Sequence, residues 1–93
     1  MKTYTNYITG NEYQGQNHNS LIEFTDIMNF TDYRFLTFLQ AKKIGRIVKK
    51  GEKGLRLYRP VAKKIENKKT GKTEFKNVRK HFFVFNIEQT REA

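Results

Sequence analysis

The spacing of apolar residues changes near residue 45 of this chain. Before that point they recur at helical intervals, as in Leu21, Phe24 and Met28, with Ile27 beside them. After it, "LRLYRPV" (55–61) alternates apolar and polar residues at every second position. A helix repeats every 3.6 residues and a strand every two. The pattern therefore predicts helices followed by a sheet.

The first helix is predicted over about residues 21–30. Ser20 and Glu23 have the spacing of a capping box, in which hydroxyl and carboxylate each satisfy a free backbone N–H at the helix start. Residues 1–19 are polar and show no clear period, so we expect an extended arm or irregular lead-in there.

The second helix is predicted over about residues 38–44. Thr37 and Gln40 form another candidate capping box, and Gly45 is suited to the left-handed position that ends a helix. Lys42 and Lys43 lie in its last turn, where cations complement the helix dipole.

Strands are predicted in the second half of the chain. "RIV" (46–48) is short and β-branched, and 55–61 places Leu55 and Leu57 on one face and Arg56 and Tyr58 on the other. Pro60 cannot donate a ladder hydrogen bond, so this strand should end there or lie at a sheet edge.

"VRKHFFVFNI" (78–87) is the strongest strand candidate. Phe82 and Val84 fall on one face, and Phe83, Phe85 and Ile87 on the other, which predicts a strand covered on both sides. Between this strand and the previous one lies a polar, lysine-rich hairpin tip around Gly71.

We therefore expect a single α+β domain over residues 1–93, with two helices followed by an antiparallel sheet that carries a basic hairpin. Residues 1–12 are a candidate mobile arm and residues 91–93 a candidate mobile tail. The order is compatible with a winged-helix arrangement in which residues 62–76 form the wing. A third helix is missing from the pattern, so spacing alone leaves that arrangement open.

Charge is concentrated in one region. The chain carries a net charge of +10, and residues 42–80 hold sixteen Lys or Arg against three Glu, a local net charge of +13. The flanking segments are mildly acidic. Surfaces that serve only solubility intersperse both signs, whereas a cationic block is typical of proteins that bind polyphosphates.

The sequence lacks the residue combinations that common catalytic sites require. There is no Cys and no HExxH motif, and His18 and His81 are the only histidines, so neither a zinc centre nor an acid–base pair is indicated. "GEKG" (51–54) is too short for a phosphate-binding loop of the P-loop kind. We expect no enzyme activity and no cofactor. The chain shows no signal peptide or membrane span, so we expect a soluble, cytoplasmic protein.

Aromatic residues accompany the cations on both main strands. Tyr58 lies between Arg56 and Arg59. His81, Phe82 and Phe83 follow the basic pair Arg79 and Lys80. Cations neutralise phosphates and rings stack on unpaired bases, so this alternation favours binding of single strands. With eight Phe and no Trp the chain must also build its core from these rings, and each remains a candidate for either role.

Three ordered blocks carry a resemblance to a known family: TF-x-QA at Thr37–Ala41, V-x-KGEKG at Val48–Gly54 and FN-x-EQT at Phe85–Thr90. With Tyr13, Gly15 and Asn17, which form Y-x-G-x-N, they make the chain similar to the N-terminal single-stranded DNA-binding domain of ArdC-type antirestriction proteins of conjugative plasmids. Where that family commonly has Trp, this chain has Phe35. Larger members continue into a metallopeptidase-like domain with HExxH, which is absent here.

As a chain of this size, the protein also resembles the small single-stranded DNA-binding proteins of staphylococcal cassette chromosome elements. That resemblance implies a winged-helix-like fold rather than an OB-fold, and binding of single-stranded DNA of a mobile genetic element, in its replication, transfer or protection. Other replication or transfer proteins are candidate partners, and no membrane is implied. The candidate DNA-binding residues are Arg46, Lys49, Lys50, Lys53, Arg56, Tyr58, Arg59, Arg79, Lys80 and Phe83.

Two other functions remain open. A winged-helix regulator of duplex DNA would use the 38–44 helix for recognition, with Gln40 as its one plausible base reader. An inhibitor of a host defence enzyme is the third, although DNA mimics of that kind are usually acidic.

Four motif residues each have two possible roles. Glu88 and Gln89 could either fix the C-terminal strand or contact DNA. Gly51 and Gly54 could either meet the geometry of a turn or allow close approach of a phosphate backbone.

Overall fold

Two helices and two sheets make up the computed structural model, which describes residues 3–93. One sheet has four strands in the order β1-β2-β5-β4, with β1 parallel to β2 and the other pairs antiparallel, and β3 pairs with β6 in a separate antiparallel ribbon. The predicted α+β class with two helices is confirmed. In chain order the elements are β1 (Thr5–Asn6), α1 (Gln16–Met28), β2 (Arg34–Leu36), α2 (Phe38–Lys43), β3 (Arg46–Val48), β4 (Leu55–Glu66), β5 (Thr73–Asn86), a 3-10 turn (Ile87–Gln89) and β6 (Thr90–Glu92). The prediction of helices followed by an antiparallel sheet is wrong in part, because the sheet is mixed and its strands β1 and β2 come before α2 in the chain.

Helix α1 begins earlier than predicted. Its first residue is Gln16, and Gly15 precedes it at φ 64°, a conformation that favours glycine, with no side-chain cap. The predicted start with a capping box at Ser20 and Glu23 is therefore wrong, because both lie inside the helix. Leu21 is buried as predicted, but Ile27 is 77% exposed and the apolar face is narrower than expected.

Helix α2 matches its prediction. The Thr37 hydroxyl accepts from the Gln40 N–H, and the Gln40 side chain accepts from the Thr37 N–H, so the capping box is present. Gly45 follows the helix at φ 76°. These local signals were decisive because each depends on residues no more than four apart.

Both ends of the described chain form short strands, so the irregular lead-in expected at the start is partly ordered. Residues 1 and 2 of the predicted arm lie outside the described residues, and the mobility of residues 1–12 and 91–93 stays a prediction. Tyr4 is 5% exposed and packs in the core, with its ring 5.4 Å from that of Tyr33 in an edge-on contact. Thr5 and Asn6 form β1 against β2, and residues 90–92 form β6 against β3. Both ends are held by strands that are distant in the sequence. The spacing of residues within each end does not reveal such pairing.

An aromatic cluster fills the space between α1 and the four-stranded sheet. Tyr4, Leu21, Phe35, Leu57 and Val84 are buried. Phe35, which stands where the family commonly has Trp, has no exposed surface and lies within 6.4 Å, between ring centroids, of three other rings. The ring at this position therefore belongs to the core and is not accessible to a ligand.

Strands β4 and β5 form a long hairpin with twelve paired positions. Pro60 does not end β4, because β4 is the edge strand of its sheet and a missing N–H costs little on an open edge. Leu57 faces Phe82 on the core side, while Tyr58 faces His81 on the other side, as the alternation predicted. Phe83 is 49% exposed, so the prediction that β5 is covered on both sides is wrong near this residue.

Two glycines shape the loop of residues 49–54, called here the glycine loop. Gly51 has φ 86° and is the third residue of a turn in which the Glu52 N–H donates to the Lys49 carbonyl. At Gly54 a β-carbon would lie 3.0 Å from Phe85 Cζ and 3.0 Å from the Val84 carbonyl oxygen. The absence of a side chain at this point lets the loop pack onto β5.

We expect Gly54→Ala to lower the free energy of unfolding by about 1–3 kcal/mol, since the added methyl group meets a backbone atom that cannot move aside freely. Gly51→Asn is the matched control and should cost less, because space at Gly51 is open and Asn tolerates positive φ. Urea denaturation measures both. Equal stability of Gly54→Ala and the parent chain would contradict this packing.

Candidate nucleic-acid interface

In the part of the β4 and β5 hairpin that packs on the core, the solvent-facing side carries alternating cations and rings. The register pairs Arg56 with Phe83, Tyr58 with His81 and Pro60 with Arg79, and residues directly opposite each other in a sheet share a face. We call this surface the outer face. It consists of Arg56, Tyr58, Arg79, His81 and Phe83.

Tyr58 is the centre of the outer face. The guanidinium carbon of Arg79 lies 4.7 Å from the centroid of its ring, and that of Arg56 lies 5.8 Å away. Both distances are within the range of cation–π attraction. The ring is 37% exposed, so two cations and an accessible ring are assembled at one place.

His81 and Phe83 extend this surface along β5. Their ring centroids are 5.9 Å apart with planes at 80°, and Phe83 is 49% exposed. The sequence places His81 among the rings that follow the basic pair of β5, but it is not one of the ten candidate DNA-binding residues. The signal that could have found it is its parity, since it lies two positions from Phe83 on the same strand face.

Arg59 and Lys80 are placed away from the outer face. They face each other across β4 and β5 on the side that carries Leu57 and Phe82. Both are exposed, and Arg59 lines a cavity of about 360 Å³ together with Phe82 and Gln40. Of the candidate residues on the hairpin, the structure brings together Arg56, Tyr58, Arg79 and Phe83.

The glycine loop presents its lysines to solvent and its glutamate to the protein. Lys49, Lys50 and Lys53 are exposed, whereas the Glu52 carboxylate accepts from Gln89 Nε2 at 3.0 Å. The loop adjoins the ring-bearing side of β5, because Gly54 packs on Phe85, two positions from Phe83. The three lysines thus extend the positive charge beyond the end of the outer face.

Gln89 holds this loop in place from inside. It is 1% exposed, its Nε2 also donates to the Lys53 carbonyl at 2.9 Å, and its Oε1 accepts from the Asn86 N–H at 2.9 Å. The Lys49 N–H donates to the Gln89 carbonyl at 2.9 Å. Since a buried amide is costly unless its hydrogen bonds are made, these contacts fix the loop to the end of β5.

Glu88 and Arg46 also make contacts within the protein. The Glu88 carboxylate accepts from the Thr31 hydroxyl at 2.7 Å and from the Thr31 N–H at 2.9 Å. The guanidinium of Arg46 donates to the Thr90 hydroxyl at 2.8 Å and to its carbonyl at 3.1 Å, which ties β3 to β6. Of the two roles considered for Glu88 and Gln89, these contacts supply the structural one. Contact of Arg46 with DNA stays a prediction.

The first turn of α1 positions Tyr58 through Asn17. Asn17 Nδ2 donates to the Tyr58 carbonyl at 2.7 Å, and the Tyr58 N–H donates to Asn17 Oδ1 at 3.1 Å. One side-chain amide thus pairs with the open edge of β4 as a neighbouring strand would. Tyr13 lies in the segment before α1: its hydroxyl accepts from Asn6 Nδ2 at 3.0 Å, and burial raises the pKa of this phenol above its ordinary value.

A cleft of about 350 Å³ opens beside Tyr58. Its volume is at the lower end of the range found for small-molecule pockets. The cleft is lined by Gln14, Gln16 and Asn17 on one side and by Tyr58, Arg59, Pro60 and Arg79 on the other.

Comparison with known proteins assigns the chain to a family. Residues 1–88 match the model of the N-terminal domain of the anti-restriction factor ArdC. The chain belongs to this family. Its resemblance to ArdC-type proteins, inferred above from three sequence blocks, is thereby confirmed.

Two solved structures agree with this assignment. A metal-free crystal structure of the antirestriction ArdC protein from the R388 plasmid is 26% identical, has a TM-score of 0.91 and covers 98% of this chain. An Mn(II)-bound structure of that protein is 27% identical, has a TM-score of 0.76 and covers 97% of this chain. The chain spans about a third of that protein's length, 33% and 35% in the two structures. No curated protein matches the sequence.

Neither a metal cluster nor a membrane helix is found in the described part of this ArdC-family chain. Among residues 3–93, no group of three or more His, Cys, Asp or Glu could hold a metal ion. No helix in that range is long and apolar enough to cross a membrane.

We expect Asn17→Ala to lower the free energy of unfolding by about 1–3 kcal/mol, because it removes two hydrogen bonds to Tyr58, each with a net value of about 0.5–1.5 kcal/mol. Asn19→Ala is the matched control, since Asn19 is an exposed residue of the same helix. Chemical denaturation followed by far-UV circular dichroism measures both variants. If Asn17→Ala were no less stable than Asn19→Ala, the edge contact would not hold β4.

Proposed function

We propose that this chain is a sequence-tolerant single-stranded DNA-binding protein of a mobile genetic element, acting in its replication, transfer or protection. The observation that carries the proposal is the cluster of Tyr58, Arg56 and Arg79 on the outer face. Membership of the ArdC family supports a role in plasmid antirestriction, since the related protein from R388 bears that name. In this proposal the domain binds DNA and does not catalyse a reaction, and it acts in the cytoplasm.

The charge distribution supports a phosphate backbone as the ligand. Lys49, Lys50 and Lys53 are exposed beside the outer face, and their loop is fixed by Gln89 rather than by ion pairs with the lysines. Each phosphate that a cation neutralises releases condensed counterions and adds affinity that falls with salt. A rigid loop with free ammonium groups loses little conformational freedom when it binds.

The rings support unpaired bases as the second element of recognition. Bases of a single strand expose their faces, and stacking on an aromatic side chain contributes about 1–3 kcal/mol per base, largely without regard to sequence. Arginine guanidinium planes also stack on bases, so Arg79 beside the Tyr58 ring widens the available platform. Phe83 and His81 offer a second stacking position along β5.

The geometry does not favour the duplex-reading alternative. Gln40, its one candidate base reader, has its Oε1 engaged by the Thr37 N–H at 3.0 Å and by Asn6 Nδ2 at 3.0 Å. Helix α2 has six residues and exposes Phe38 and Leu39, which cannot donate hydrogen bonds to base edges. The winged-helix-like arrangement remains part of the proposal, with the β4 and β5 hairpin as its wing.

For Tyr58→Ala we expect affinity for oligo-dT to fall by about 1–3 kcal/mol, with the salt dependence unchanged, because the variant loses stacking but no cation. Tyr58→Phe is the matched control and should bind almost as the parent chain does. Fluorescence anisotropy against labelled oligo-dT measures the affinity. Equal affinity of Tyr58→Ala and Tyr58→Phe would contradict base stacking at this ring.

For Lys50→Ala we expect the slope of log affinity against log salt to become shallower by about one, since one phosphate contact is lost. The measurement is a salt series with oligo-dT and a matched duplex. The proposal predicts tighter binding of the single strand at every salt concentration. Equal or tighter binding of the duplex would overturn it.

A further inference from the structure

The distal part of the β4 and β5 hairpin projects away from the body. Its paired positions run from Val61 opposite Val78 to Glu66 opposite Thr73, and no residue in 61–78 is buried. The radius of gyration is 16.7 Å, against about 12 Å for a compact chain of this length. We call residues 61–78 the hairpin arm. Six residues per strand give it a reach of about 20 Å before its turn.

The hairpin arm carries charge that the protein does not neutralise. It holds six lysines (Lys63, Lys64, Lys68, Lys69, Lys72 and Lys76) against Glu66 and Glu74. Lys63 and Lys76 face each other directly across the strands, an arrangement that destabilises a sheet. A two-stranded ribbon without a packed core is already marginal in water. An anionic ligand would remove this repulsion and stabilise the ribbon.

The chemistry of the hairpin changes along its length. Near the body, Tyr58, His81 and Phe83 lie among arginines. Beyond Arg79 the same face carries Ala62 opposite Asn77, and then Lys64 opposite Phe75 as the single ring of the arm. Aromatic side chains stack on the exposed bases of a single strand. In a duplex the bases are stacked on each other and the phosphates are the accessible groups, which lysine binds as a point charge. The inner part therefore suits a single strand and the arm suits a duplex.

The shape of the hairpin arm fits a duplex as well. A two-stranded β-ribbon can enter the major groove of B-form DNA, where its side chains reach the flanking phosphates. We propose that the hairpin arm binds duplex DNA adjoining the single strand held on the outer face, so that a junction of single-stranded and duplex DNA is the preferred ligand. This inference rests on the proposed single-strand binding and adds a second site to it.

The test compares oligo-dT alone, a blunt duplex, and the same duplex carrying that oligo-dT as a 5′ or a 3′ tail. The parent chain should bind one of the tailed duplexes at least about tenfold more tightly than oligo-dT at equal low salt, since each added phosphate contact releases further counterions. The variant Lys63→Gln, Lys64→Gln, Lys76→Gln should lose this gain and keep its affinity for oligo-dT. Its salt slope on the tailed duplex should become shallower by about 2.7.

Two control variants separate site-specific contacts from net charge and folding. Lys42→Gln, Lys43→Gln, Arg91→Gln removes the same charge at exposed positions outside the arm and should keep most of the preference for the tailed duplex. Replacing the three arm lysines by Arg should preserve it, because arginine also binds phosphate. Circular dichroism confirms that each variant is folded.

Three outcomes would overturn the inference: no gain from either tail, an equal loss for oligo-dT and tailed duplex in the arm variant, or tight binding of the blunt duplex without a tail. Failure of the proposed function gives a different result, namely that oligo-dT binding is absent or insensitive to Tyr58→Ala in the parent chain.

Discussion

Leu57 and Phe82 face each other across β4 and β5 on the core side, and the outer face depends on this pair. Leu57 has no exposed surface, and Phe82 packs against the same core. Sliding β5 by one residue would turn Phe82 and Val84 to solvent and Phe83 toward the core. The register that buries Leu57 also turns Tyr58, His81 and Phe83 to solvent together with Arg56 and Arg79. Packing of the core side of the hairpin thus determines which residues form the outer face, although the outer-face side chains themselves are largely exposed.

The family motifs contain residues of two kinds: some stabilise the fold through hydrogen bonds, and others are exposed and available to bind a ligand. Asn17 and Gln89 use their amides inside the protein, one to fix the edge of β4 and the other to fix the glycine loop. The lysines of that loop stay exposed. Gln89 fixes the backbone of the loop without placing an acidic side chain beside the lysines. Motif residues in this domain therefore act largely by positioning others.

Local signals made much of the fold predictable from the sequence. The capping box at Thr37, the glycine at 45 and the alternation around Leu57 each depend on neighbours in the chain. What could not be predicted depends on distant partners. Tyr4 packs in the core, and β3 pairs with β6. Gly15, which precedes α1, has no side chain to form a cap, so the sequence gives no capping signal at the true start of this helix.

The candidate site was predictable to a similar extent. Parity along β4 groups Arg56 with Tyr58, but the residues opposite them depend on the register with β5, which the sequence does not specify. That register separates Arg59 and Lys80 from Tyr58 and brings in His81. The engagement of Gln40 and Arg46 by neighbouring groups required the tertiary structure, since their partners lie as far as 44 residues away.

Chemical-shift mapping by NMR on the isotope-labelled chain, titrated with oligo-dT, tests the central claim most directly. The account predicts that the largest shifts fall on Arg56, Tyr58, Arg79, His81 and Phe83 and on the glycine loop, with little change on the exposed side of α1. Shifts concentrated on the helices, with the outer face unchanged, would contradict it.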